Sequence, residues 1–297
     1  MRRAFSTLKI ASEMFVSIQR CTVGPNASGK QSKWRYAMPE NIVSPRTLSV
    51  HKEHEFLGKL EAAGLGDAEA QLVIGSKGNE LARKLVTFIR TGGYEPSVSQ
   101  KTARAIMGQN YLGVDQSIQH LKASPSKADL RTLEDVPFAE NVLEACKDTH
   151  VLVAVLPMSV MGLWERTKQT KHLFYSKDDP WYKSQAFAKE KGQAGWHLVR
   201  KDIVPNSTSK TWQEQQSLLG KDDENPTARV LVYTVILTFL ATGVKLLPNI
   251  YARVSDVDSD GNRVYVGYFD GSGLYVNYYW DDYRNDFIGV ASARKSN

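Results

Sequence analysis

Apolar positions recur three and four residues apart over His51–Ala63 and over Ala68–Arg90, and that period predicts two helices, the second stopped at Gly92-Gly93. Shorter stretches of the same kind cover Lys101–Met107, Asp115–Leu121 and Phe138–Cys146, with Ser124-Pro125 as a break. Ahead of them Phe15–Ile18 reads as a strand and Gly24–Pro39 as a loop. The pattern changes at about His150. Val151–Leu156 is an unbroken, largely β-branched run ended by Pro157, which predicts a buried strand. Pro180–Lys191 predicts a helix with Pro at its start and Gly192 at its end. Trp196–Arg200 predicts a strand, Ser209–Leu219 a capped helix, and Pro226–Thr242 a helix apolar all round and closed by Gly243. Helices early and short strands late predict an α+β protein: a mostly helical region over 1–149, and a second domain over 150–297.

The last strands carry the most distinctive pattern. Between Arg263 and Arg294, the apolar Val264, Val266, Leu274, Val276, Ile288 and Val290 alternate in short runs broken by Gly267, Gly271, Gly273 and Gly289. Two or three short strands with tight turns follow from that spacing, after a further strand at Tyr251–Val254. The positions between are drawn from a narrow set: Tyr268, Asp270, Ser272, Tyr275, Asn277, Tyr278, Tyr279, Asp281, Asp282, Tyr283, Asn285, Asp286 and Phe287. Tyr offers a large, stiff, amphipathic surface at small entropy cost, while Asp, Asn and Ser offer adaptable hydrogen bonds; antibody paratopes use the same chemistry. These thirteen are the candidate ligand-binding residues. The rival reading is a tyrosine-rich sheet edge of no special role.

Composition narrows the classes. The chain has 297 residues, 42% hydrophobic and 24% charged, as in ordinary globular proteins. Its net charge of +6 is mild, and the aromatic tip interleaves its rings with Asp where a nucleic-acid platform would use Arg and Lys. No nucleic-acid partner is expected. Two cysteines, Cys21 and Cys146, cannot make a disulfide framework. The basic, Ser-containing start, Met1–Ser12, is faintly like an organellar transit peptide and lacks the apolar core of a secretory signal. Val230–Val244, the longest apolar run, is short for a membrane span, so no membrane insertion is expected.

Other chemistry is thin. Gly24–Lys30 matches the opening of a phosphate-binding loop, but Gln31 stands where Ser or Thr should meet magnesium, and no helical period follows. A surface loop is the simpler reading. His51 and His54 share a helix face without a third ligand, so exposed histidines are expected and no metal is assigned. Asp256, Asp258 and Asp260 open like a calcium loop, yet Gly267 sits where the closing Glu belongs; an Asx-rich hairpin turn with Asp260-Gly261 at its tip is the alternative. His150, His172 and His197 have no nucleophile elbow beside them, and His197 reads as a packed or hydrogen-bonded strand residue. No catalytic residue or cofactor is assigned.

The order Trp196–Arg200, a helix around Thr211-Trp212, Tyr251–Ser255, Val264–Val276 and Ile288–Arg294 resembles the C-type-lectin-fold variable proteins of diversity-generating retroelements. The resemblance covers about residues 150–297. It implies a C-type-lectin-like (formylglycine-generating-enzyme-like) domain whose last stretch, about 264–294, is rewritten by error-prone reverse transcription at template adenines. Asparagine codons of the AAY type, the usual targets there, become Asn, Asp, Tyr, Ser or Phe but never Lys, Glu, Gln, Met or Trp. Tyr268–Phe287 is built largely from the permitted set, with Trp280 then a fixed position. Formylglycine-generating enzymes share the fold but use a cysteine pair, and residues 150–297 contain no Cys. The expectation is a ligand-binding protein without catalysis, its ligand a protein or a glycan and its oligomeric state left open. One rival is a hydrolase-like enzyme with a cleft between the halves, recognisable by a His150, His172 or His197 meeting a carboxylate. The other is a structural subunit of a phage or surface assembly, with the tyrosines buried at an oligomer contact.

Overall fold

The computed structural model describes residues 48–168 and 173–296. The expectations for Met1–Ser12, Phe15–Ile18, Cys21, Gly24–Pro39 and His172 lie outside the described residues. The chain falls into two units, Met1–Gly66 and Asp67–Asn297. In the first, the described residues form helix α1 (Val50–Ala62), started by Ser49, whose hydroxyl accepts from Lys52 N. His51 and His54 are both exposed on it.

The second unit begins with α2 (Asp67–Ile74) and α3 (Glu80–Arg90), where a single helix over Ala68–Arg90 was expected. The break has a local cause. Gly75 ends the first helix, and a 3-10 turn at Lys77–Asn79 holds Gly78 and Asn79 in the left-handed region, at φ 62° and 58°. Then come α4 (Val98–Met107), β1 (Tyr111–Leu112), α5 (Val114–Leu121), α6 (Lys127–Thr132) and α7 (Glu140–Cys146). Helix α6 was not expected; its signal is the capping box of Ser126 and Asp129 after Pro125.

Strand β2 (His150–Val155), buried throughout, is followed by α8 (Val160–Thr167). The helix expected over Pro180–Lys191 is a 3-10 turn at Trp181–Ser184 and a short α9 (Ala186–Lys189), because Gln185 between them is extended. Next are β3 (Gly195–Arg200), α10 (Trp212–Gln216) and β4 (Asp223–Glu224). Helix α10 is shorter than Ser209–Leu219: its cap is Thr211, in a capping box with Glu214, whereas Ser209 sits at φ 56° outside it. The chain ends in α11 (Ala228–Thr242), β5 (Tyr251–Val257), β6 (Arg263–Asp270), β7 (Gly273–Tyr279), β8 (Ile288–Val290) and β9 (Ala293–Arg294).

With eleven α-helices and two mixed sheets among the described residues, the architecture is α+β. One sheet has the order β1-β2-β3-β9-β4, with β1 and β2 parallel and the other pairs antiparallel. Because β1 joins it, residues on both sides of position 149 share this sheet. The other has the order β7-β6-β5-β8, with β8 parallel to β5. Helix α11 lies between them and touches β1, β2 and β3 of one sheet and β5 and β6 of the other. That position explains its composition: from Ala228 to Thr238 every side chain but Arg229 is buried, so it has no polar face. Thr234, Thr238 and Thr242 satisfy their hydroxyls within the helix by donating to the carbonyls four residues back. No helix among the described residues is long and apolar enough to cross a membrane.

Candidate functional site

The second sheet presents two chemically different faces. Ala252, Val254, Val264, Val266, Leu274 and Val276 are buried on the side of α11. The register then places Tyr251 and Arg253 of β5, Arg263 and Tyr265 of β6, and Tyr275, Asn277 and Tyr279 of β7 on the opposite face. Gly267 sits among them at φ 150°, where a Cβ would collide with the Ile250 carbonyl.

A bulge after Gly267 adds one more ring to that face. Strict alternation would turn Tyr268 inward, but Tyr268 adopts φ 53° and the register with β7 shifts. Phe269 then points to the core against Phe239, with ring centroids 5.2 Å apart, and Tyr268 stacks on Tyr251 at 5.1 Å. Tyr275 meets Tyr268 edge-on at 6.2 Å and stacks on Tyr175 at 4.0 Å. Burial, then neighbouring Tyr265, Tyr275 and Tyr268, push the Tyr251 hydroxyl well above its ordinary range. Tyr265 is pushed up to about 12, again chiefly by burial.

The segment 280–287 closes the face, and its main chain is what the rest of the protein holds. Arg253, with no exposed surface, donates from Nη2 to the carbonyls of Tyr283 (2.6 Å) and Trp280 (3.5 Å), and from Nη1 to Gln215 Oε1 (3.1 Å) and the Lys210 carbonyl (3.2 Å). The Asp281 carbonyl accepts from Trp212 N at 2.8 Å, the Asn285 carbonyl from Ser209 N at 2.8 Å, and the Phe287 carbonyl from Tyr251 N at 2.8 Å. Five carbonyls of the segment are therefore tied to donors outside it.

Its side chains are used more sparingly. Arg263 forms a bidentate pair with Asp281, both bonds 3.1 Å, and its guanidinium lies 4.0 Å over Trp212. Arg284 pairs with Glu214, and that bond, with the Thr211 N–H, holds the Glu214 carboxyl down at about 2. Asn285 bonds Phe287 N and the Tyr283 hydroxyl. Asp282, Asp286 and Phe287 are exposed.

None of the thirteen sequence-selected residues is buried. Ser272, Asn277, Tyr278, Asp282, Asp286 and Phe287 are exposed; Tyr268, Asp270, Tyr275, Tyr279, Asp281, Tyr283 and Asn285 are half-buried. Their rings gather in three groups: Tyr268 and Tyr275 around Tyr251; Tyr278 against Trp181, at 4.4 Å; and Tyr279 with Trp280 and Tyr283, each at 4.0 Å. Asp270 serves the β6–β7 turn, accepting from Ser272 N at 2.7 Å. Sequence reasoning missed Tyr175, Trp181 and Tyr182, which wall a cleft of about 300 Å³ against Tyr251, Tyr275 and Asn277. Their only signal is the density of rings in Phe174-Tyr175 and Trp181-Tyr182. It also missed Arg253, which alternation on β5 would leave in solvent.

Other candidates resolve locally. Of the Asp256–Gly261 segment, Asp256 and Val257 end β5, and Asp258–Gly261 lie in the β5–β6 hairpin turn. Asp258 Oδ1 accepts from Asp260 N and Asn262 N at 2.9 and 2.8 Å, and Asp256 Oδ2 accepts from Ala228 N at 2.5 Å, at the start of α11. Among the described residues no group of three His, Cys, Asp or Glu could hold a metal ion. His150 is buried, with Nδ1 2.8 Å from Thr149 Oγ1, and burial lowers its pKa to about 4; His197 is lowered to about 4 by burial and then by Arg229. Neither meets a carboxylate at hydrogen-bond distance among the described residues. A cavity of about 570 Å³ lies between α3 and α4, and two ion pairs in its lining, Glu80–Lys84 and Arg104–Asp115, are internally matched.

Compared with known proteins, the chain matches no family model, no curated protein and no solved structure.

Proposed function

We propose that this chain is a ligand-binding protein without catalytic chemistry, whose last strands and loop display replaceable side chains on a stiff frame. The frame would be a C-type-lectin-like domain over 150–297, and the display a variable region of the kind that diversity-generating retroelements rewrite. The observation that carries this reading is how 280–287 is held. Arg253, Trp212, Ser209 and Tyr251 grip its main-chain carbonyls, a contact every residue type supplies equally. Side chains can then change while the loop keeps its path. None of the thirteen display residues serves as core packing, and the rings among them offer broad contact area at low entropy cost.

Binding would come from a few tyrosines acting as hot spots, with Asp and Asn fixing orientation on a protein or glycan surface. The diversification half of the reading is tested by sequencing the DNA around the gene. The expected result is a reverse-transcriptase gene beside a near-copy of the gene's last hundred or so bases, differing only at adenines. Flanking DNA with neither feature contradicts it.

A further inference from the structure

The cleft beside β7 has a feature that tyrosine display does not require. Residues 173–175 pair with the outer edge of that strand: Leu274 N donates to the Leu173 carbonyl at 2.9 Å, and Tyr175 N to the Leu274 carbonyl at 3.0 Å. Further along, Trp181 Nε1 donates to the Val276 carbonyl at 2.7 Å. In an antiparallel ladder, alternate residues turn both main-chain groups to the same edge. Leu274 and the Val276 carbonyl face outward, so the Val276 N–H faces outward as well. The Leu173–Tyr175 segment has by then left the edge, and that N–H has no partner among the described residues. It opens toward the 300 Å³ cleft, of which Val276 is a lining residue.

The walls define what could accept from it. Tyr175, Ser176, Trp181 and Tyr182 line it from one segment and Tyr251 and Tyr275 from the sheet, with Tyr175 and Tyr275 stacked on each other at 4.0 Å; among the described residues no lining side chain carries a charge. Tyr182, 2% exposed, lines the cleft too. An uncharged, aromatic recess disfavours a charged group, which would lose its hydration there without a counter-ion. A free N–H on a sheet edge reads an amide carbonyl, as in β-strand addition.

The geometry points to an uncharged, extended peptide segment as the ligand of this cleft, its main-chain carbonyl on Val276 N–H and an aromatic or proline side chain against the lining rings of Tyr175 and Trp181. This rests on the ligand-binding reading above and narrows the ligand from protein or glycan to peptide.

The test is an array of N-acetylated, C-amidated hexapeptides with Pro, Phe, Tyr, Asp or Lys at a central position, printed beside simple neutral glycans. Wild type should hold uncharged peptides with a central ring and release those with Asp or Lys. Val276→Pro removes the edge-facing N–H, which the ladder does not use, along with the buried Val276 side chain, and where it folds, shown by unchanged circular dichroism, it should weaken capture at least tenfold. Tyr175→Ala should do the same and serves alone if the proline variant does not fold. Peptide capture indifferent to Tyr175→Ala overturns the assignment, and so does capture of glycans in place of peptides. No array capture, with protein capture still dependent on Tyr279, overturns the cleft assignment and leaves the display reading standing. Peptide capture that needs Tyr175 but not Tyr279 upholds the cleft and sinks the wider display.

Discussion

Arg253 Nη2 donates to the main-chain carbonyl of Tyr283 at 2.6 Å, from a side chain with no exposed surface. Among the described residues no carboxylate forms an ion pair with Arg253; Asp281, whose charge acts on it, is held by Arg263. Burial pulls the Arg253 guanidinium below its ordinary pKa, and main-chain carbonyls with Gln215 Oε1 provide its compensation. The loop and the buried charge thus depend on each other. Removing the guanidinium takes the donor from the Tyr283 carbonyl and leaves the Trp280 carbonyl with the Tyr283 N–H alone, at 3.2 Å.

Arg253→Met should therefore destabilise the protein by on the order of 3 kcal/mol. Urea unfolding measures that loss. Hydrogen exchange should show protection lost first over 280–287, because the other elements keep their own ladders. A loss below about 0.5 kcal/mol contradicts the anchoring role.

Tyr268 occupies the left-handed region, which costs an ordinary residue roughly 1–2 kcal/mol and Asn less. Tyr268→Asn should leave the melting temperature unchanged or raise it. Tyr268→Ile should lower stability by about 1–2 kcal/mol, since a β-branched side chain is poorly suited to that backbone. Thermal melts of the two variants decide it. Asparagine is also the residue that adenine-directed rewriting starts from, so tolerance of Asn here is a requirement of the proposed function.

Stability should fall in mild acid. His150 has a folded pKa of about 4, below the roughly 6.5 of an unfolded histidine, so the unfolded chain binds the proton first. Its contribution is complete above about pH 6.5 and is lost as pH falls toward 4. His197 acts in the same direction. Urea midpoints measured from pH 7 to pH 4 should decline, and His150→Gln should flatten the decline. An unchanged slope in that variant contradicts the assignment.

Much of the fold is legible in the sequence because burial imposes a period. The unbroken apolar run at 151–156 becomes β2, the all-round apolar helix becomes α11 between the sheets, and the alternations after Arg263 become β6, β7 and β8. Local stops were read less well. Gly75 and Gly78 split a helix whose apolar period continues through them, and Gln185 splits another without any sequence mark. At the site, exposure follows from the polarity of the thirteen residues. The supports do not: Tyr175 and Trp181 lie about a hundred positions from the strand they border, and Arg253 is a charge on an alternating strand whose outer face is covered by a loop. Long-range covering of that kind leaves no period in the sequence.

The central claim is that the rings of the last strands belong to a ligand and not to the fold. Wild type, Tyr275→Ala and Tyr279→Ala, checked for equal melting temperatures, are to be compared for capture on protein and glycan arrays. The account expects all three to fold alike and both variants to lose the targets that wild type holds, by at least tenfold in affinity. Unchanged capture by both variants, or unfolding of either, contradicts it.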